Sequence, residues 1–142
     1  MKILIVDDEE FVLKSLQRNI FTLDSGFSID TASSVAEVKS MLTGKKYDCI
    51  LSDLNMPDEN GLSLIKYLKD QSIEIPLIIM TGCPKAESAV ECMKTGALGF
   101  ISKPFSAQTI IDKVNELFTD KSTSWSRGYK INDYSIKELI SE

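Results

Sequence analysis

"YDCILSDLNMPDENG", residues 47–61, passes from an apolar run to a carboxylate, Asp53, and then through turn-forming residues before helical spacing begins. A strand-like run that ends on an acid and gives way to a turn and a helix is the repeating unit of an open α/β fold. The unit recurs in both directions. "KILIV" (2–6), "SIDTA" (28–32), "PLIIM" (76–80) and "LGFIS" (98–102) join "DCILS" (48–52) as segments of strand length. Between them, apolar residues fall at three and four spacing: Val12, Leu16 and Ile20; Val35, Val38 and Leu42; Leu62, Ile65 and Leu68. Ala86, Ala89, Val90 and Met93 mark a fourth helix, and Ile110, Val114, Leu117 and Phe118 a fifth. Strands alternating with helices predict right-handed βαβ crossovers and a parallel sheet covered on both faces. "SIDTA" alternates in polarity, which suits an edge strand. The glycines of "TG" at 43–44, "NG" at 60–61 and "TG" at 95–96 fall between elements, as do Pro57 and Pro84, and Pro76 stands at the boundary that opens "PLIIM".

Composition narrows the chemistry. The chain has 142 residues, 43% of them hydrophobic, enough for one domain with a real core. Its net charge of −5 comes from dispersed acids, and the basic residues form no stripe, which argues against direct nucleic-acid binding. Three cysteines without paired spacing, no signal peptide and no bilayer-length apolar run lead to the expectation of a cytoplasmic protein away from the membrane. There is no histidine, which removes Ser/His and Cys/His catalysis and histidine-ligated metals together. Chemistry must rest on carboxylates, lysine, hydroxyls and backbone.

In an open α/β sheet the ligand crevice lies at the carboxyl ends of the strands, near the point where strand order reverses. The residues after the strands are Asp7, Asp8 and Glu9; Asp53; Thr81; and Lys103, followed by Pro104. Each has a simpler use. "DDEE" would cap the first helix, Asp53 would form an Asx turn, Thr81 would cap a helix and Lys103 would lie on the surface. Their convergence favours a site. Carboxylates gathered in one crevice repel by about 1 kcal/mol per pair at 4 Å in water and by more in a less polar setting, so compensating cations are needed. Mg²⁺ at Asp7, Asp8 and Asp53 supplies hard-ion compensation and lowers the charge barrier to attack on phosphorus. Lys103 and the Thr81 hydroxyl would hold the equatorial oxygens, and Asp53 reads as the nucleophile.

"ILIVDDEE", "ILSDLNMPDENG", "IIMTG" and "KTGALGFISKPF", in this order and spacing, resemble the receiver domain of two-component response regulators over about residues 1–118. The resemblance implies a flavodoxin-like (βα)5 doubly wound fold with a five-stranded parallel sheet in the order 2-1-3-4-5. It implies that Asp53 accepts a phosphoryl group from a sensor histidine kinase or histidine phosphotransfer protein. Asp7, Asp8 and Asp53 would bind Mg²⁺, with the backbone carbonyl of Asn55 completing the protein ligands. Thr81 and Lys103 would bind the phosphoryl group, and Thr81 and Phe100 would form the switch. The expected result is a changed surface on helix 4, strand 5 and helix 5, where homodimers could also form. Exposed neighbours there, Lys85, Glu87, Glu91, Lys94, Gln108 and Lys113, would form the readout face. Such a protein is no conventional enzyme, although it would catalyse its own phosphorylation and dephosphorylation. Gly82 stands where alanine is frequent in the family, and Phe100 where tyrosine is. Asn55 and Cys83 occupy positions that influence how fast the phosphoryl group is lost.

Two other classes compete. A haloacid-dehalogenase-type phosphatase also uses a strand-end aspartate, but there the nucleophile follows the first strand and an acid lies two residues on. Here the residue two after Asp53 is Asn55, which cannot protonate a leaving group. A degenerate receiver acting as a phosphate-independent binding module would be expected to lack some of these acids, the threonine or the lysine, yet all stand in this sequence. Residues 119–142 read as a linker, "TDKSTSWSRG", followed by a short helix with a capping box from Ser135 to Glu138. A helix that short is marginal alone, so it would dock on the domain, pair with another chain or begin an output domain missing from this chain.

Overall fold

The computed structural model describes residues 1–56, 59–82, 86–102 and 106–119. Strands and helices alternate through this part of the chain. They run β1 (Lys2–Val6), α1 (Glu10–Leu23), β2 (Ser28–Ala32), α2 (Val35–Leu42), β3 (Cys49–Asp53), α3 (Gly61–Asp70), β4 (Leu77–Thr81), α4 (Ala86–Thr95), β5 (Gly99–Ser102) and α5 (Ala107–Thr119). The expectations for Cys83, Lys85, Lys103, Pro104 and the segment 120–142 lie outside the described residues.

All four strand pairings are parallel, in the order β2-β1-β3-β4-β5. This is the flavodoxin-like arrangement, with "SIDTA" at an edge as its alternation predicts. Strand periodicity divides the apolar residues between two layers. Ile3, Ile5, Leu51, Ile78 and Met80 face Leu13, Leu16 and Ile20 of α1 and Ile110, Val114 and Leu117 of α5. Leu4, Val6, Ile50 and Ile79 face Val35 and Val38 of α2, Leu64, Ile65 and Leu68 of α3, and Cys92 and Met93 of α4. Central strands buried on both faces explain why β1, β3 and β4 read as continuous apolar runs rather than alternating ones.

Local signals fix the helix starts. The Ser34 hydroxyl accepts from the Glu37 amide at 3.1 Å, while the Glu37 carboxylate accepts from the Ser33 amide at 2.7 Å. Asn60 caps α3 by accepting from the Ser63 amide at 2.9 Å. α3 and α4 both end in a reversal closed by a bond from the second residue beyond the cap: the Ile73 amide donates to the Leu68 carbonyl and the Ala97 amide to the Cys92 carbonyl. No helix among the described residues is long and apolar enough to cross a membrane.

Candidate functional site

β1 has β2 on one side and β3 on the other, so successive crossovers leave it in opposite directions. Side chains at its carboxyl end and at that of β3 therefore flank the switch point of the sheet. Val6 pairs with Ser52, which brings the next residues, Asp7 and Asp53, side by side. Asp53 pairs with Met80, so Thr81 stands one residue farther along the neighbouring strand, opposite Ser102 of β5. Strand β3 ends on Asp53 and β4 on Thr81, one residue later than their apolar runs. The ladder continues past the acid, since the Leu54 amide donates to the Met80 carbonyl at 2.9 Å.

Asp7 and Thr81 are fully buried and Asp53 is only 6% exposed, whereas Asp8 stands in solvent. The two buried acids are held in the same way. Asp7 Oδ1 accepts from the Glu9 amide at 3.0 Å, and Asp53 Oδ1 accepts from the Asn55 amide at 3.1 Å. Both turns orient a carboxylate at a strand end. The simpler use of "DDEE" as a helix cap accounts for little of this, because Glu9 occupies the N-cap of α1 without a side-chain cap bond.

One carboxylate oxygen from each of Asp7, Asp8 and Asp53 lies within 4.8 Å of the others. At such separations each pair of charges repels by about 1 kcal/mol in bulk water and by more beside a low-dielectric core. An oxygen-only donor set, two of its members buried and oriented by backbone amides, fits Mg²⁺. Asp7, Asp8 and Asp53 are the side chains that would hold it, and the mostly exposed Asn55 lies at the rim with its backbone beside Asp53.

Two residues read only as punctuation or strand filler in the sequence also build this corner. The Ser52 hydroxyl, fully buried, donates to the Asp53 carbonyl at 3.1 Å. Gly61, the first residue of α3, donates its amide to the Leu54 carbonyl at 3.0 Å. A Cβ on Gly61 would meet the Asp53 carbonyl oxygen at 2.9 Å. The "NG" pair signalled a turn, but no local pattern reveals so close an approach.

Phe100 is half-buried in β5 and packs against the layer formed with α2, α3 and α4. Glu91, Lys94 and Gln108 are exposed, while Lys113 is half-buried rather than fully in solvent. The structure therefore brings Asp7, Asp8, Asp53, Asn55 and Thr81 to one end of the sheet, with Lys103 outside the described residues.

Comparison with known proteins agrees with this geometry. The family model for the response regulator receiver domain matches residues 3–115. The transcriptional regulatory protein FixJ of Rhizobium meliloti (strain 1021) is 40% identical over 111 residues, covering 78% of this chain and 53% of FixJ. A receiver domain of the Francisella response regulator 1452 superposes with a TM-score of 0.75 at 30% identity, covering 84% of this chain and 98% of that one. The beryllofluoride-activated NtrC4 receiver domain dimer gives a TM-score of 0.74 at 31% identity, with 84% and 97% coverage. The chain spans about half the length of FixJ. By fold and by family match, it belongs to the response regulator receiver domains of two-component systems.

Proposed function

We propose that the chain is a phosphorylation-activated switch in which Asp53 takes a phosphoryl group from a phosphohistidine of a sensor histidine kinase or phosphotransfer protein. The observation that carries this reading is the meeting of Asp7, Asp8 and Asp53 within 4.8 Å at the carboxyl ends of β1 and β3. An Asp53 carboxylate oxygen attacks phosphorus; the O–P bond forms as the N–P bond breaks, and that electron pair returns to the imidazole nitrogen. Asp7 and Asp8, with Asp53 and the Asn55 carbonyl, would hold a Mg²⁺ ion, which would supply charge neutralisation at the phosphoryl oxygens. The bond from the Asn55 amide to Oδ1 keeps the attacking carboxylate oriented.

The product adds about −1.5 to −2 charge and three strong acceptors beside β4. Thr81, buried at the end of that strand, donates its hydroxyl to the phosphoryl group, and Lys103 pairs with it. Movement of Thr81 vacates space that Phe100, half-buried on the neighbouring strand, turns to fill. The surface of α4, β5 and α5 changes, which controls an output module and dimerisation. FixJ, named a transcriptional regulatory protein, is about twice as long as its matched part, which supports an output domain joined to the receiver. Cys49 and Cys92, buried free thiols, suit action in the cytoplasm.

Intact-protein mass after incubation with acetyl phosphate tests this reading. One phosphoryl adduct is expected with Mg²⁺ and none with chelator; absence of an adduct with Mg²⁺, together with failure to bind beryllofluoride, would refute it.

A further inference from the structure

We infer that Gly61 is a positioning residue for Asp53: the start of α3 is seated against the phosphoacceptor's own backbone, and only a residue without Cβ lets the carboxylate reach Asp7 and Asp8. This inference rests on the reading of Asp53 as phosphoacceptor. Alanine is the better helix former, so propensity argues against glycine at the first position of α3. Backbone freedom is no reason for it either, because among the described glycines only Gly96 has a positive φ. The reason is space. A Cβ at position 61 would lie 2.9 Å from the Asp53 carbonyl oxygen, 2.9 Å from Ile79 Cδ1 and 3.2 Å from Leu54 Cα.

These neighbours differ in what they can yield. Ile79 Cδ1 is the end of a side chain and can turn away or be removed. The Asp53 carbonyl and Leu54 Cα are main chain, already fixed on two further sides: the Ser52 hydroxyl donates to the Asp53 carbonyl, and the Leu54 amide and carbonyl bond Met80 and Gly61. Relief of the clash must therefore shift the peptide that carries Asp53, and with it the carboxylate held by the Asn55 amide. The start of α3, wedged against the Asp53 carbonyl and Ile79 of β4, thus sets the position of the attacking oxygen.

The test compares wild type, Gly61→Ala, Ile79→Val and the double variant Gly61→Ala/Ile79→Val. Thermal unfolding, the metal-free Asn55 amide resonance and the Mg²⁺ dissociation constant are measured for each. Ile79→Val removes the side-chain clash and leaves the main-chain one. The double variant is expected to recover most of the thermal stability that Gly61→Ala loses, while its Asn55 amide stays shifted upfield and it binds Mg²⁺ about tenfold or more weakly. Unchanged Asn55 resonance and Mg²⁺ affinity in Gly61→Ala would overturn the inference. Restoration of both in the double variant would overturn it too, by reducing Gly61 to a core-packing role. A wild-type protein that binds no Mg²⁺ would count against the proposed function instead, and the metal-free Asn55 resonance would still decide the role of Gly61.

Discussion

The Tyr47 hydroxyl donates a 2.6 Å hydrogen bond to Asp30 Oδ2, tying the residue that leads into β3 to the edge strand β2. Lys45 Nζ lies 3.4 Å from the same oxygen, and Lys2 Nζ sits 5.5 Å from the centre of the Tyr47 ring. The bond to Tyr47, more than the lysine, holds the Asp30 carboxyl below its ordinary value of 3.8 against the opposing effect of burial. Burial, and then Asp30, push the Tyr47 phenol above its ordinary value of 10.0.

These shifts have opposite signs and bracket the pH range of greatest stability. Asp30, depressed in the folded state, stabilises fully above pH 3.8, and that contribution is lost as pH falls through the folded value. Tyr47, raised in the folded state, stabilises fully below pH 10.0, and that contribution is lost at higher pH. Tyr47→Phe should cost about 1 kcal/mol at neutral pH. Urea titrations of both proteins should show the difference shrinking below pH 3.8 and above pH 10.0.

Ser72 has a φ of 55° at the end of α3, where the matching residue after α4 is Gly96 with a φ of 141°. A side chain in that region costs about 1–2 kcal/mol. Ser72→Gly should therefore stabilise the protein, by less than that because glycine also loosens the unfolded chain. Gly96→Ala should destabilise it by about 1–2 kcal/mol, a strain of the backbone alone, since the added carbon would rest 3.6 Å from Ile65 Cγ2. Denaturant midpoints of the two variants should move in opposite directions.

Mg²⁺ should stabilise the fold by mass action. At about 100 times its dissociation constant the gain is about 2.7 kcal/mol, visible as a raised melting temperature that chelator reverses. Asp8→Asn, which removes the exposed member of the cluster, should fold normally and lose most of that gain. An undiminished Mg²⁺ response in this variant would remove Asp8 from the ligand set.

The layered α/β fold was legible because its signals are local and repeated. Ile3 to Val6 and Leu77 to Met80 are buried on both faces, so each strand wrote itself as an unbroken apolar run. Strand ends were displaced by one residue, since backbone pairing carries β3 through Asp53 and β4 through Thr81 whatever their polarity. Helix faces were slightly rotated. Leu13 and Leu64 are in the core, while Val12 and Leu62 lie at its margin, because three-and-four spacing fits either set and only packing chooses. Asp7, Asp8, Asp53 and Thr81 could be grouped from their places after strands. Tyr47 with Asp30, and Gly61 with the Asp53 carbonyl, could not: each pair meets only through the packing of separate elements.

In the proposed switch one particular carboxylate, that of Asp53, carries the phosphoryl group. Borohydride reduces an aspartyl phosphate to homoserine, so reduction after incubation with acetyl phosphate and Mg²⁺, followed by peptide mass spectrometry, reads out the modified position. Homoserine at position 53 alone, absent with chelator and absent from Asp53→Asn, is the predicted result. Homoserine at position 7 or 8, or at another acid in undiminished amount in Asp53→Asn, would contradict the assignment.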